Sequence, residues 1–148
     1  MSIIWNKRLT ATSGYCHVKS QDDEHYCVIN LSDKVCDSAE RLRDTLVHEM
    51  CHAACWIIDR KKESDPHGPL WMARAATVSN IHPELPEVRA YHDYNINYPF
   101  TYQCSLCQRS FGRYREIADK NVYCSSCKSR QNMTIGSKDG SPPSSSIR

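Results

Sequence analysis

Hydrophobic positions near the start of the chain alternate in the way expected of β-strands. Residues 15–19 and 26–31 are rich in β-branched and aromatic side chains, and the polar segment 20–24 separates them. Paired strands joined by a turn have this composition. We therefore predict a β-hairpin between residues 14 and 32. Its second strand, at residues 26–32, is the predicted edge to which an extended peptide could add.

After the hairpin, the period of the apolar residues changes to that of an α-helix. The apolar positions are Leu42, Leu46, Val47, Met50, Ala54, Ile57 and Ile58. Asp37, followed three positions later by Glu40, is similar to a capping box in which the aspartate is the N-cap. We predict a helix over residues 38–59.

The remainder of the chain predicts a second helix and then short strands. Residues 60–66 are charged and end at a proline, which predicts a loop. Pro69 suits the first turn of a helix over residues 70–79. From Tyr98 onward, aromatic segments alternate with Cys-x-x-Cys pairs, and the chain ends in Ser, Pro, Gly and Lys. We predict an α+β fold with a core at 1–97, a second domain at 98–133 and a disordered tail at 134–148.

Composition narrows the class of protein. The longest apolar stretch, residues 53–58, is far shorter than the ~20 residues that cross a bilayer, and no signal peptide is visible. We expect neither membrane association nor secretion. The 148 residues include nine cysteines and seven histidines. An odd cysteine count with many histidines favours metal chemistry in a reducing compartment over a disulfide framework.

The first predicted helix carries the pattern His48-Glu49-Met50-Cys51-His52, which is H-E-x-x-H. Histidines four positions apart share a helix face and can bind one zinc ion. Glu49 lies where it can take a proton from water and return it to a leaving amine. Cys51 is offset from the histidine face, so packing is its expected role. The motif predicts a catalytic zinc site.

The third ligand of that zinc is best supplied by His67. The metzincin continuation is excluded because Cys55 and Ile58 stand where it needs Gly and His. From His52 to the helix end the chain rises about 10 Å, and the eight residues to His67 can span up to ~26 Å back. The carboxylate alternatives are Glu63, Glu84 and Glu87. The histidine alternatives are His82 and His92.

A second metal site is predicted by Cys104-x2-Cys107 and Cys124-x2-Cys127, separated by sixteen residues. Two such pairs supply four thiolates, which close a tetrahedral zinc site with no open position. A segment this small has little core, so the metal would supply much of its folding free energy. We therefore expect two zinc ions, one catalytic and one structural.

Charge separates the two halves of the chain. Residues 1–99 carry a net charge of −3, whereas residues 100–148 carry +5. The cations predicted to contact DNA are Arg109, Arg113, Arg115, Lys120, Lys128 and Arg130. The aromatic residues among them are Tyr98, Phe100, Tyr102, Phe111, Tyr114 and Tyr123. Cations neutralise phosphates and exposed aromatic rings stack on bases. The alternative is that the rings form the small core of this segment and the charge is solvated.

Five segments together resemble a known family. They are L-S-D-K-V-C at 31–36, residues 42–56 with the H-E-M-C-H core, H-G at 67–68, I-H-P-E-L-P at 81–86 and the four-cysteine ribbon. This set resembles the SprT-like domain of the germ cell nuclear acidic protein group, relatives of the Spartan protease, over about residues 5–130. The resemblance implies a small zincin-like metalloprotease domain followed by a zinc ribbon, with His48, His52 and His67 as zinc ligands and Glu49 as acid and base.

By the same resemblance, the expected function is a nuclear, chromatin-associated, DNA-dependent protease that degrades proteins crosslinked to DNA. The expected partners are single-stranded or junction-containing DNA and DNA-crosslinked proteins, and the protein is expected to be a monomer. One alternative is a non-catalytic DNA- or chromatin-binding module with two structural zinc ions. It would need a fourth protein ligand at the first zinc, such as Cys51 or His82. Another alternative, a small-molecule zinc hydrolase, would need a closed pocket.

Overall fold

The computed structural model describes residues 1–62, 64–118, 121–128 and 130–135, with the backbone alone for residues 121, 122 and 130–135. These residues form two compact units, Met1–Tyr94 and the part from Asn95 onward. Together they make a mixed α/β structure with two helices and two sheets. No helix in the described ranges has the length and apolarity needed to cross a membrane.

The first unit begins with a three-stranded sheet. Its strands are β1 (Ser2–Trp5), β2 (Gly14–Gln21) and β3 (Glu24–Leu31), in the order β1-β3-β2. The predicted hairpin is confirmed as β2 and β3, which pair antiparallel. Both strands are longer than predicted, because a two-residue turn joins them. Asp22 and Asp23 form this turn with φ of 49° and 63°, values that match the twist of paired strands.

The sheet corrects the prediction of its edge strand. The pattern predicts an edge at residues 26–32, but β3 lies in the centre, because β1 pairs with it in parallel on its other side. The four residues of β1 are too few to be recognised from a pattern. Among the described strands, none pairs with the outer side of β2. The edge next to the first helix is therefore β2.

The first helix, α1, spans Ala39–Ile57, close to its predicted bounds. Its N-cap differs from the prediction. Ser38 is the cap, and its hydroxyl accepts a hydrogen bond from the Arg41 amide at 3.2 Å. Asp37 lies one position too early for this role and forms an ion pair with the Arg41 side chain at 3.0 Å instead.

The second helix, α2, spans Pro69–Ile81, slightly longer than predicted, and begins at the proline. On one face of α1, Ala53 packs in the core formed by alternate residues of β3, Cys27, Ile29 and Leu31. On another, Cys51 packs against Trp71 and Ala75 of α2. Helix α1 therefore lies between the sheet and α2, with both of its metal-binding candidates inside this packing.

The second unit is a four-stranded antiparallel sheet. Its strands are β4 (Phe100–Cys104), β5 (Ser110–Arg113), β6 (Asn121–Tyr123) and β7 (Arg130–Ile135), in the order β5-β4-β7-β6. Strand β7 includes Thr134 and Ile135, which the sequence pattern assigns to the tail. The rest of the predicted tail lies outside the described residues. The buried core cluster contains Tyr102, Cys104 and Cys124.

Candidate metal centres

Three histidines converge in the first unit. Helix α1 supplies His48 and His52, and the residue that precedes Gly68, the N-cap of α2, supplies His67. The Nε2 atom of His48 lies 3.2 Å from that of His52 and 3.1 Å from that of His67. Ligand atoms around a tetrahedral zinc ion are about 3.3 Å apart when each nitrogen lies at 2.0–2.1 Å. The loop therefore brings His67 to the H-E-x-x-H pair with the spacing of zinc ligands.

The buried histidines are prepared to act as neutral ligands. His48 Nδ1 lies 2.8 Å from the carbonyl oxygen of Arg89. Because a carbonyl oxygen only accepts, Nδ1 carries the proton and the Nε2 lone pair points toward the other imidazoles. Burial lowers the pKa of His48 and of His52 to about 4, and it also lowers the pKa of His67. All three rings are therefore neutral at pH 7.

Trp71 supports this cluster from behind. Its ring centroid lies 4.9 Å from that of His48, 5.7 Å from that of His52 and 4.8 Å from that of His67. Trp71 is 1% exposed. No sequence pattern connects it with the histidines, since its role depends on how α2 packs on α1. The Arg89 carbonyl was missed for a similar reason, because backbone contacts from an irregular segment leave no pattern.

Glu49 lies next to the histidines and is 6% exposed. Burial raises the pKa of its carboxyl group to about 7, and a hydrogen bond from the Cys16 backbone amide opposes that rise. A carboxyl group with a pKa near 7 can both take up and release a proton at neutral pH. The amide that contacts it belongs to β2, so the edge strand passes directly beside the carboxylate.

Two cavities flank the cluster, and both are lined by His48, Glu49 and His67. One, of about 170 Å³, includes Gly14 at the start of β2. The other, of about 340 Å³, includes Val18 further along β2. The histidines and Glu49 therefore lie between two hollows that follow the edge strand. This arrangement is an open cleft rather than a closed pocket.

Cys51 and His82, the residues considered as a fourth ligand, are engaged elsewhere. Cys51 is 2% exposed and packs in the cluster with Trp71, and burial raises the pKa of its thiol to about 11. It is therefore a neutral packing residue. His82 is exposed, and its Nδ1 lies 3.0 Å from a carboxylate oxygen of Glu84. Within the described ranges, neither belongs to a group of side chains that could hold a metal with His48.

His92 and Glu87 also lie outside the three-histidine group. The ring of His92 stacks on Tyr94, with centroids 4.9 Å apart, and its centroid lies 5.3 Å from that of His48. Glu87 lines a separate cavity of about 260 Å³. Glu63 lies outside the described residues.

Four cysteines converge in the second unit. The Sγ atoms of Cys104 and Cys127 are 3.8 Å apart, and those of Cys107 and Cys124 are 3.7 Å apart. Sulfur atoms at 2.3 Å from a tetrahedral zinc ion are separated by about 3.8 Å. Hydrogen bonds from backbone amides, the first from Cys127, lower the pKa of the Cys124 thiol to about 6. This thiol is therefore readily available as the thiolate that zinc binds.

The two Cys-x-x-Cys pairs have the same backbone turn. The residues that follow them, Gln108 and Lys128, have φ of 60° and 59°. Each donates its amide to the carbonyl of the first cysteine of its pair at 2.9 Å. This repeated turn directs both thiols of a pair toward the same point. The four cysteines and the three histidines are thus two groups compatible with zinc.

The structure describes part of the predicted DNA-contacting set. Arg109, Arg113, Arg115 and Lys128 are exposed on the second unit. The Arg113 guanidinium lies over the ring of Phe111, 4.8 Å from its centroid. Lys120 lies outside the described residues, and the side chain of Arg130 in β7 is not described.

Most of the aromatic residues in this unit are engaged in packing. Tyr102 is fully buried, and Phe100 and Phe111 pack in the same cluster. Tyr98 contacts Tyr114, with ring centroids 5.0 Å apart. Tyr123 is 58% exposed and is available for stacking. Most of the rings therefore form the core of this segment, as the alternative interpretation expects.

Comparison with known proteins places these groups in context. Residues 1–92 match the SprT-like family. Germ cell nuclear acidic protein of Homo sapiens is 40% identical over 145 residues, which cover 95% of this chain and 21% of the relative. Germ cell nuclear acidic-1 protein of Caenorhabditis elegans is 39% identical over 104 residues, 70% of this chain and 19% of the relative.

A more distant relative has a name that states an activity. DNA-dependent metalloprotease SPRTN of Xenopus tropicalis is 28% identical over 102 residues, which cover 60% of this chain and 23% of the relative. The chain thus spans about a fifth of the length of these three relatives.

Proposed function

Because the chain belongs to the SprT-like family, we propose that it is a DNA-dependent zinc metalloendopeptidase that cleaves proteins crosslinked to DNA. The name of one relative, DNA-dependent metalloprotease, supports the activity. The names of two others, germ cell nuclear acidic proteins, support a nuclear location. The proposed role is the removal of trapped proteins from chromatin during DNA repair.

One observation carries this proposal. Three neutral imidazoles meet beside a buried carboxyl group, in a cleft that runs along an edge strand. A structural zinc site has no need of the carboxyl group or of the cleft. We therefore assign His48, His52 and His67 as the ligands of a catalytic zinc and Glu49 as the acid and base.

The donor set fits zinc in a catalytic setting. Nitrogen donors at this spacing suit a tetrahedral ion, and three protein ligands leave one position open. Among the described residues, no fourth side chain joins the group. When bound there, zinc supplies Lewis acidity, which acidifies water and polarises a carbonyl group.

The protein's own residues would perform the remaining steps. Glu49 takes the proton of the attacking water and returns it to the leaving nitrogen of the scissile peptide. The Cys16 amide holds the Glu49 carboxylate in place. The Arg89 carbonyl keeps His48 in its ligand tautomer. The outer edge of β2 would receive the substrate as an additional extended strand, in a zincin-like arrangement.

The second unit would bind DNA and be held together by a structural zinc on its four cysteines. We propose its exposed cations, Arg109, Arg113, Arg115 and Lys128, as the described part of the DNA contact. Their charge suits phosphates, and Tyr123 offers a surface for stacking on an unpaired base. Single-stranded or junction-containing DNA is therefore the proposed ligand. The corresponding domains are 1–97 and 98–133.

The test is cleavage of a protein crosslinked to DNA, compared with the same protein without DNA. Replacement of the general base, Glu49→Gln, should lower cleavage by about 10²- to 10⁴-fold while zinc content and DNA affinity stay unchanged. Glu40→Gln, a matched change at an exposed position of the same helix, should have no effect. Undiminished cleavage by Glu49→Gln would contradict the mechanism. Absence of cleavage by the wild type with every DNA tested would favour the non-catalytic module.

A further inference from the structure

The larger cavity beside the histidines has the features of a side-chain pocket. We propose that it binds a large apolar side chain of the substrate, from the residue beside the bond that is cut. This inference rests on the proposed peptidase function and adds a sequence preference to it. The cavity is called the apolar pocket below. Its lining beyond the histidines and Glu49 consists of Tyr15, Cys16, Val18, Cys55, Trp56, Lys61, Lys62, Asp65 and Pro66.

The position of the apolar pocket determines which substrate residue can reach it. All three histidines and Glu49 line it directly. A peptide whose carbonyl is attacked at that point must place the side chain of an adjacent residue into the hollow. The pocket has a volume of about 340 Å³, twice that of the cavity on the other side, which is about 170 Å³. The larger side chain therefore belongs on the Val18 side of the cleft.

The chemistry of the pocket changes from its base to its rim. Its half-buried members beyond the histidines are Cys16, Val18, Cys55 and Trp56, whereas the charged Lys61, Lys62 and Asp65 are exposed. An apolar side chain would gain roughly 25 cal/mol for each Å² of its surface buried at this base. A charged side chain would lose hydration there without an opposite charge. The pocket therefore selects apolar residues.

The wall of the pocket is fixed before a ligand arrives. The Trp56 indole N–H donates to the carbonyl of Lys19 at 2.8 Å, and its ring lies against His25, with centroids 4.6 Å apart. The Lys61 amide donates to the Cys55 carbonyl at 3.2 Å, which holds the start of the loop against the end of α1. A preformed wall costs less ordering on binding than a mobile one.

Cleavage of a mixed peptide library in the presence of DNA tests the preference. The wild type should favour Phe, Leu, Met, Tyr or Trp over Ala and Lys by about tenfold or more at one position next to the cut bond. Val18→Phe fills the pocket and should shift the preference to Ala and Gly, whereas Val18→Ala should shift it toward Trp. The control is Val28→Phe, the same change in β3 at a residue outside the pocket lining; it should keep the wild-type profile.

A flat profile at that position, or an unchanged profile in a folded Val18→Phe protein, would overturn the pocket while leaving peptidase activity intact. Binding without turnover separates the two proposals. Zinc-loaded Glu49→Gln protein, titrated with N-acetyl-phenylalaninamide, should show saturable NMR shifts at the Trp56 indole N–H and the Val18 methyl groups. N-acetyl-alaninamide should give none, and Val18→Phe should abolish the response at Trp56. Equal shifts with both amides, or none with either, would overturn the pocket whatever the cleavage assay shows.

Discussion

The two metal centres differ in what surrounds them. The histidine centre lies in a unit with buried clusters of its own, built on β3, α1 and α2. The cysteine centre lies in a unit whose buried cluster contains Tyr102 and two of the metal-binding cysteines themselves. In the first unit the fold positions the ligands, whereas in the second the ligands are much of the core. Loss of metal should therefore affect activity in one unit and folding in the other.

The largest effect is expected from breaking the cysteine centre. Cys124→Ser removes a thiolate from a site whose metal binding contributes about 10–16 kcal/mol in zinc-finger peptides. The second unit should lose its amide protection in hydrogen exchange, and one zinc should be lost from each chain. The matched control is Cys36→Ser, a cysteine outside both groups, which should retain all zinc. Full protection of the second unit in Cys124→Ser would show that its fold does not depend on metal.

Breaking the histidine centre should have the opposite profile. His67→Ala removes one of three ligands, so cleavage should fall below detection and zinc affinity at this site by at least about 100-fold. The first unit should stay folded, with its melting temperature only a few degrees lower, because its buried clusters remain. His82→Ala, at an exposed histidine outside the group, should leave zinc and cleavage unchanged. Unfolding of the first unit in His67→Ala would remove the distinction between the centres.

The charge contrast between the units can be tested by reversal. Arg113→Glu with Arg115→Glu should weaken binding to single-stranded DNA at least tenfold at low salt. The slope of log affinity against log salt should become shallower by about 1.5, because roughly 0.7 counterions are released for each phosphate contact. The same double reversal at Lys7 and Arg8, which are exposed in the first unit, should have little effect. Equal losses from both pairs would show that DNA binding is not confined to the second unit.

The smallest effect concerns the scaffold of the first unit. Ser38→Ala removes the cap of α1 and should lower the free energy of unfolding by about 1 kcal/mol, measured by urea titration. Zinc content and cleavage should not change, since the cap lies about three turns from His48. Asp37→Ala should cost less, because its ion pair with Arg41 is partly exposed. A larger loss from Asp37→Ala would restore the aspartate as the cap.

The sequence predicted what depends on local spacing. The helical period placed His48 and His52 on one face, loop length indicated His67, and the Cys-x-x-Cys spacing indicated the second centre; the structure brings each set together. The H-E-x-x-H motif limited the acid and base to Glu49 before any fold was known. These features require only neighbours in the chain, or a segment long enough to return.

What the sequence missed depends on contacts between distant segments. Strand β1 becomes a strand by pairing with β3, and that pairing moves the edge of the sheet from β3 to β2. The contacts of Trp71 and of the Arg89 carbonyl with the histidines arise from packing of segments far from α1. The predicted N-cap is wrong by one residue because both Asp37 and Ser38 are good caps.

The most direct test of the contrast between the centres is diffraction from zinc-loaded crystals on both sides of the zinc absorption edge. The account predicts two anomalous peaks. One should lie about 2.1 Å from Nε2 of His48, His52 and His67, with no fourth protein atom bound, and the other about 2.3 Å from the Sγ atoms of the four cysteines. A fourth protein ligand at the histidine peak, or no peak there, would contradict the assignment of an open catalytic centre.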